Sequence, residues 1–433
     1  MQTSLKGIAR KAKQQKNHKF GNLYRLLNKD ALYLAWKDIN RKAATGVDGE
    51  TAMEFERNLD ANLDTMVEEL KSKKYKAKLV KRVNIPKGNG KTRPLGLPAL
   101  RDKIIQKAVA NILEAIYEQD FLKCSYGYRP MVGAQKAVKE LTNELMSKYS
   151  FVVEADIKSF FDNIDHQWLI KMLELRIEDK SFLRLIKKWL KAGILDTDGK
   201  IINPLNGCPQ GSIVSPILAN IYLHYALDLW FEKTVKAQSE GETYMCRLAD
   251  DFVCAFRFKR EAVKFYNTLG KRLAKFGLEL AEEKTKIIRF SRFIKPENDS
   301  FDFLGFEFRW ELSKNGKSII TRTTSRKKLR KSIKDFTIWC KENRHKRIKT
   351  IVEMLNTKLR GYFNYYGVIT NSKGINQFHY QVVKILYKWL NRRSQRKSFT
   401  WDEFFEKMKW YGLITPKVVE RPDNQIRLEE CFV

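Results

Sequence analysis

Apolar residues fall at helical spacing over Asp102–Phe121, where Ile104, Ile105, Ala108, Val109, Ile112, Leu113 and Ile116 share one face, so the pattern predicts a helix. Ala134–Tyr149 repeats that spacing with Ala137, Val138, Leu141 and Leu145. The run Phe151-Val152-Val153-Glu154-Ala155-Asp156-Ile157 then switches to β-rich composition and reads as a central strand. A helix with proline in its first turn is expected from Pro216 to Trp230. Tyr244–Phe258 reads as a hairpin, two apolar runs separated by Ala249-Asp250-Asp251. Glu261–Phe276 is again helical, and Lys284–Arg289 and Phe301–Trp310 are strand-like. Helical spacing returns over Thr350–Arg393, which carries Tyr362, Phe363, Tyr365 and Tyr366. The patterning is mixed α and β, without an internal repeat or a low-complexity linker.

Composition narrows the partners. The 433 residues hold 83 Lys+Arg against 50 Asp+Glu, a net charge of +33. Hydrophobic residues make up 43% of the chain and aromatics 12%, enough for a full core, which excludes intrinsic disorder. Such a length implies about two to four domains or subdomains. A charge excess of this size repels itself unless a polyanion neutralises it, and nucleic acid is the first candidate. A membrane-spanning segment is not expected: the longest stretch without formal charge, Ile201–Leu227, is interrupted by Asn203, Pro209, Gln210, Pro216, Asn220 and His224. No signal-peptide core follows Met1. The basic N-terminus, with Arg10, Lys11 and Lys13, reads as an arm leading into a helix rather than as a transit peptide. The six cysteines (124, 208, 246, 254, 340 and 431) have no C-x-x-C spacing and no His at ligand spacing. That pattern predicts buried thiols in a cytosolic protein, not a zinc site or a disulfide framework. From Thr321 to Lys349 there are twelve Lys/Arg against two acids, Asp335 and Glu342, and a domain boundary is expected just before, at Ser313–Lys317, where Asn315-Gly316 marks a turn.

Three aspartates stand at chemically suggestive positions: Asp156 near the end of an apolar strand, and Asp250 with Asp251 at the tip of an apolar hairpin. Carboxylates brought together by neighbouring strands repel one another and need a divalent cation. Hard oxygen ligands select Mg2+, which draws its remaining ligands from water and substrate phosphates. Two such ions roughly 3.5–4 Å apart would activate a 3′-hydroxyl and stabilise a leaving pyrophosphate. Taken alone, Asp-Asp is more often a simple turn filler.

Further runs, in order, decide between these readings. They are Ile85-Pro86-Lys87-Gly88, Arg93-Pro94-Leu95-Gly96-Leu97-Pro98, Ser125-Tyr126-Gly127-Tyr128-Arg129-Pro130 and Asp156-Ile157-Lys158-Ser159-Phe160-Phe161-Asp162-Asn163-Ile164. Then follow Pro209-Gln210-Gly211-Ser212, Ser215-Pro216-Ile217-Leu218-Ala219-Asn220-Ile221 and Ala249-Asp250-Asp251-Phe252. Glu283-Lys284-Thr285-Lys286, Phe303-Leu304-Gly305-Phe306 and Leu359-Arg360-Gly361-Tyr362-Phe363-Asn364-Tyr365-Tyr366 close the series. In these runs and their order the chain resembles bacterial group II intron reverse transcriptases (maturases), almost end to end.

The resemblance implies an α+β, right-hand polymerase: a basic N-terminal extension with the first fingers helices (1–60), fingers and palm (61–312), a helical thumb or maturase region (313–400) and a short C-terminal segment (401–433). It implies that Asp156, Asp250 and Asp251, with the backbone at Ile157, bind two Mg2+ ions, for which Mn2+ substitutes, and that Lys284 donates a proton or charge to the leaving pyrophosphate. Lys87, Arg93, Phe160, Phe161, Pro209, Gln210 and Gly211 would meet the incoming nucleotide, with Phe161 as the wall that excludes a ribose 2′-hydroxyl. Leu248, Arg129 and the run Phe303, Leu304, Gly305 and Phe306 would contact primer and template. Arg10, Lys11 and Lys13 of the arm and Arg326, Lys327, Lys328, Arg330 and Lys331 of the thumb would bind RNA phosphates. Two residues depart from the family pattern: Leu248 stands where an aromatic is usual, and Ser212 where a second glycine is usual. No Cys/His cluster of a homing nuclease follows, and the final segment is short for the family's DNA-binding region.

The implied function is RNA-directed DNA synthesis from dNTPs on a primed RNA template, joined to folding and splicing of the chain's own intron or another cognate RNA, with target DNA as a further partner. A bacterial cytoplasmic, nucleoid-associated protein is expected. Two other roles stand beside this one: a free-standing reverse transcriptase used in phage defence or DNA repair, and an RNA-binding splicing cofactor that no longer polymerises. An RNA-dependent RNA polymerase is disfavoured by Phe161.

Overall fold

In the computed structural model, residues 2–88, 91–293, 299–393 and 398–420 are described. Contacts divide the chain into two units, one built from 1–137 and 155–287, the other from 138–154 and 288–433. The fold class is α+β.

In the first unit the predicted apolar face becomes the helix Leu100–Tyr117, and all seven of its predicted core residues are at most 1% exposed. The helices Gln2–Gln14 and Lys29–Asp38 pack on it. Asn28 caps the second of these by accepting a hydrogen bond from Ala31 N at 3.0 Å. Val80–Gly88 and Lys91–Leu97 form an antiparallel hairpin, and Val80–Gly88 also pairs in parallel with the short strand Ile194–Leu195.

A five-stranded sheet positions the carboxylates. Its order is Thr243–Leu248, Asp251–Phe256, Phe151–Lys158, Glu279–Leu280, with Lys286–Arg289 also paired to Phe151–Lys158. The expected central strand is therefore central, and the Asp250-Asp251 hairpin is its neighbour. Val152, Val153, Ala155 and Ile157 are at most 3% exposed, so both faces of the strand are covered. The helix expected from Pro216 starts at Ser215 and continues to Gln238, but it is interrupted by two π-helical segments, His224–Asp228 and Phe231–Val235. Spacing alone could not predict these, because each inserts a residue into the 3.6-residue period.

In the second unit Phe301–Trp310 is not one strand. It is two, Ser300–Phe303 and Phe306–Leu312, reversed at Leu304 (φ 51°) and Gly305 (φ 83°). Asn315-Gly316 closes a hairpin between Phe306–Leu312 and Ser318–Thr324, so the chain stays in one sheet through the turn that the sequence marks as a boundary. Helices Arg326–Asn343, Ile348–Tyr366, Ser372–Leu390 and Trp401–Trp410 follow. Asn371, fully buried, joins sheet to helices: its Oδ1 accepts from Thr324 N at 2.9 Å, and its Nδ2 donates to Thr324 Oγ1 and Tyr366 O. Cys208, Cys246, Cys254 and Cys340 are buried and Cys124 is half-buried, as expected for thiols in a core; Cys431 lies outside the described residues.

The N-terminal arm is a docked helix, held by Arg176. This buried guanidinium donates to the carbonyls of Ala12, Gln15, Lys16 and His18 and forms an ion pair with Asp120 at 2.9 Å. Removing a buried cation strands its acceptors, so Arg176→Ala is expected to destabilise the protein by about 3–5 kcal/mol. Urea denaturation, with limited proteolysis of the first twenty residues as a local probe, measures this; an unchanged midpoint would contradict it.

Candidate active site

Two strands and a turn bring the predicted carboxylates together. Leu248 pairs with Asp251 across the hairpin, which leaves Ala249 and Asp250 as a two-residue turn with Ala249 in the left-handed region at φ 57°. Asp156 sits on the adjacent central strand, half-buried, and its carbonyl accepts from Ala281 N at 2.9 Å. Ile157 is paired with Leu280 and its side chain is buried, so a cation would meet only its backbone.

The electrostatics show proximity. Burial raises the pKa of Asp250, and the like charge of Asp156 raises it further, while Arg93 and Lys284 act the other way. Lys284 Nζ donates to Asp156 Oδ2, and that hydrogen bond raises the lysine's own pKa. Lys284 therefore stays protonated beside the cluster. Among the described residues no three His, Cys, Asp or Glu side chains already stand at ion-binding distance. The donor set nevertheless suits a hard divalent cation, because its atoms are carboxylate oxygens whose mutual repulsion such an ion would relieve.

The loop Pro209-Gln210-Gly211 lies against the fingers hairpin. Gly96 N donates to Gln210 O at 2.5 Å, and a Cβ on Gly211 (φ 106°) would stand 2.5 Å from Gly96 O, so both contacts are backbone on backbone. Arg93 Nε donates to Gln210 Oε1 at 2.6 Å, which orients the guanidinium, and its charge is felt at Asp250 and Asp162. Lys87 belongs to the same hairpin, in Val80–Gly88. Ser212, one of the departures from the family pattern, turns inward and donates to Gln106 Oε1 at 2.8 Å.

Phe160 and Phe161 are both buried, at 2% and 6% exposed; Phe160 meets Phe161 edge-on at 5.4 Å and Tyr222 at 6.5 Å. Phe161 is tied to the loop before Pro209, since its carbonyl accepts from Cys208 N at 2.7 Å.

The sequence reading missed three residues here. Tyr128, at φ 54° and 55% exposed, stands within the fields of Asp250 and Arg93. Arg247 and Asp228 are a fully buried ion pair under the hairpin. A signal existed for Arg247, a lone cation inside the apolar strand Met245-Cys246-Arg247-Leu248.

A model described as "Reverse transcriptase (RNA-dependent DNA polymerase)" matches residues 85–308, and one described as "Group II intron, maturase-specific domain" matches residues 326–407. The chain is 32% identical to the group II intron-encoded protein LtrA of Lactococcus lactis subsp. cremoris, over 87% of this chain and 75% of that one. The chain belongs to the group II intron reverse transcriptase family. It is also 33% identical to protein YkfC of Escherichia coli K12, over 66% of this chain and 81% of that one. This group II intron reverse transcriptase is an RNA-directed DNA polymerase with a maturase domain, and the carboxylate cluster lies inside its polymerase region.

Other residues expected to contact primer, template or RNA belong to the remaining elements. Phe303, Leu304, Gly305 and Phe306 belong to the second unit, where Phe303 and Phe306 are buried, Tyr365 Oη donates to Leu304 O at 2.9 Å and Ser325 N to Gly305 O at 2.9 Å. Tyr362 stacks on Phe378 at 3.8 Å and Tyr366 meets Phe306 at 5.2 Å, so these rings pack the core. Arg326, Lys327, Lys328, Arg330 and Lys331 are exposed, as are Arg10, Lys11 and Lys13.

Arg129, expected at primer or template, is committed to structure. It grips both oxygens of Glu118, at 2.7 and 3.0 Å, and donates to the carbonyls of Leu122 and Ser125. Arg129→Ala is expected to lower stability by about 2 kcal/mol while leaving the KM for primed template unchanged. A selective rise in that KM at native stability, measured by steady-state extension beside thermal unfolding, would restore the substrate contact.

Proposed function

We propose that Asp156, Asp250 and Asp251 hold two divalent cations, Mg2+ with Mn2+ as a substitute, and that the polymerase joins dNTPs to a primer 3′-hydroxyl on an RNA template. The observation that carries this reading is that the hairpin bearing Asp250 and Asp251 at its turn is hydrogen-bonded to the central strand bearing Asp156, so that carboxylates from two chain segments share one site. Their mutual repulsion does nothing for the fold, and a divalent cation would relieve it. When bound, such ions lower the pKa of the attacking hydroxyl and offset charge on the leaving pyrophosphate.

The chain's own residues supply the rest. Lys284, kept protonated by its hydrogen bond to Asp156, gives its proton to the leaving pyrophosphate in this reading. Arg93, aligned by Gln210, suits a bidentate grip on a triphosphate, with Lys87 beside it in the fingers hairpin. Phe161, backed by Phe160, forms the wall against a 2′-hydroxyl. The Gly211 backbone approaches the incoming nucleotide, Leu248 backs the primer end, and Phe303–Phe306 forms the primer grip.

RNA binding follows from charge. Helix Arg326–Asn343 begins with Arg326, Lys327 and Lys328 at the positive end of its dipole, an arrangement that disfavours the helix until a polyanion offsets it. The exposed Arg10, Lys11 and Lys13 add to this. The partner we propose is the chain's own intron RNA or another cognate structured RNA, with target DNA as a second ligand, in the cytoplasm at the bacterial nucleoid. No described helix is long and apolar enough to cross a membrane.

Primer extension on an RNA template with dNTPs and Mg2+, beside Asp250→Ala/Asp251→Ala, tests the chemistry. The native chain is expected to extend the primer, and the double variant to lose at least about 10³-fold in rate, in the range of electrostatic contributions to catalysis. If neither extends while salt-sensitive RNA binding persists, the splicing-cofactor role replaces this one. Phe161→Ala is expected to gain rNTP incorporation without losing dNTP use; no gain would remove Phe161 from sugar selection. Replacing Arg326, Lys327 and Lys328 with Gln is expected to reduce the slope of log K against log salt by about 2–3; an unchanged slope would place the RNA elsewhere.

A further inference from the structure

The turn that carries Asp250 holds a non-glycine residue where glycine is the usual occupant. Ala249 has φ 57°, a conformation that persists only where the surroundings over-determine it. The surroundings here are unusually complete. Cys124–Tyr126 runs alongside the hairpin strand: Arg247 N donates to Cys124 O at 2.7 Å, and Tyr126 N to Arg247 O at 2.8 Å. A Cβ on Gly127 would stand 2.4 Å from Ala249 N, so that loop presses backbone against the turn. Asn220 Nδ2 donates to Gly127 O at 2.5 Å and fixes the loop in its turn.

The centre of the assembly is the Arg247 side chain, which is 0% exposed. Its five N–H groups are all used. Nε and Nη2 grip the two oxygens of Asp228, Nη2 also donates to Ser125 Oγ at 2.9 Å, and Nη1 donates to Asn220 Oδ1 at 3.3 Å and to Ala249 O at 3.0 Å. One guanidinium therefore links the 124–127 loop, the 215–238 helix and the carbonyl of the strained turn. Asp228, 0% exposed, closes the π-helical segment His224–Asp228. A lysine could match the charge but not a five-donor planar fork.

We infer that Arg247, clamped by Asp228, is a positioning residue of the polymerase: through the Ala249 carbonyl it sets where the Asp250 and Asp251 carboxylates stand, and so the affinity of the site for divalent cations. This deepens the cation-ligand reading and rests on it. A mere core pair would predict something different, namely that any replacement preserving the fold preserves the site.

Two variants separate the possibilities. Arg247→Lys keeps the charge opposite Asp228, and Arg247→Met/Asp228→Leu replaces the pair with apolar side chains, a change that buried ion pairs often tolerate. Mn2+ binding is measured directly, by electron paramagnetic resonance without nucleotide, beside thermal unfolding, template affinity and the kcat for extension. We expect Mn2+ affinity to fall at least tenfold in the variants that fold, kcat to fall with it, and template affinity to hold. A folded variant of either kind with native Mn2+ affinity overturns the inference. Asp250→Ala/Asp251→Ala serves as the control: if it binds Mn2+ as the native chain does, the cation-ligand reading itself fails and takes this inference with it.

Discussion

Like charges that must share a site repel until their counter-ions arrive, and the palm of this polymerase is organised around that constraint. Asp156 lies on the central strand and Asp250 in the turn of the neighbouring hairpin, and the charge on Asp156 raises the pKa of Asp250. A flexible chain would let them part. Here each is anchored in an apolar framework, Asp156 by a central strand covered on both faces and Asp250 by a hairpin whose inner residues Met245, Cys246, Val253 and Cys254 are buried. Lys284 and Arg93 lend positive charge from other segments, which moderates the repulsion without abolishing it. The framework can bear this because burial of the apolar strand residues contributes about 1.5–3 kcal/mol each.

The basic surfaces pose the opposite problem. A net charge of +33 opposes compaction wherever cations crowd, and the first turn of helix Arg326–Asn343 crowds them where the helix dipole is also positive. The protein thus carries two local imbalances of opposite sign, one of crowded carboxylates and one of crowded cations. Both are the kind of stress that a polymerase acting on nucleic acid relieves on binding. The arm is not a loose tail within this scheme. Arg176 satisfies the carbonyls at the end of helix Gln2–Gln14, so Arg10, Lys11 and Lys13 are displayed from a fixed support.

Close backbone approach recurs where the site is assembled. Gly96 and Gly211 let the Val80–Leu97 hairpin meet the Pro209–Gly211 loop, and Gly127 lets the Ser125–Pro130 segment meet the turn that carries Asp250. In each place a side chain would push apart two segments that both bear functional groups. The run containing Arg129 thereby gains a structural meaning: Arg129 and Gly127 brace the loop, and Tyr128 is left at the surface beside Asp250.

Much was legible without coordinates. Alternating and helical apolar spacing located the helix at 100–117, the central strand and the Asp-Asp hairpin to within a few residues, because burial of apolar faces is a local property of spacing. The ordered motifs identified the polymerase class, since each reactive group needs a particular side chain at a particular place along the chain. Three matters could not be read this way. The first π-helical segment ends at Asp228, whose partner Arg247 comes from a strand about twenty residues away, and local spacing carries no trace of that pairing. The split of Phe301–Trp310 into two strands depends on a reversal at Leu304-Gly305 that an apolar run conceals. The division of labour among similar residues was decided by neighbours distant in sequence: Arg129 braces a loop while Arg93 stays near the carboxylates. Sequence alone determined which chemical groups this protein owns and roughly which elements carry them. Only the tertiary structure decided which of those groups meet, because whether a charge is free to act or is spent on holding the fold depends on what the folded chain sets against it.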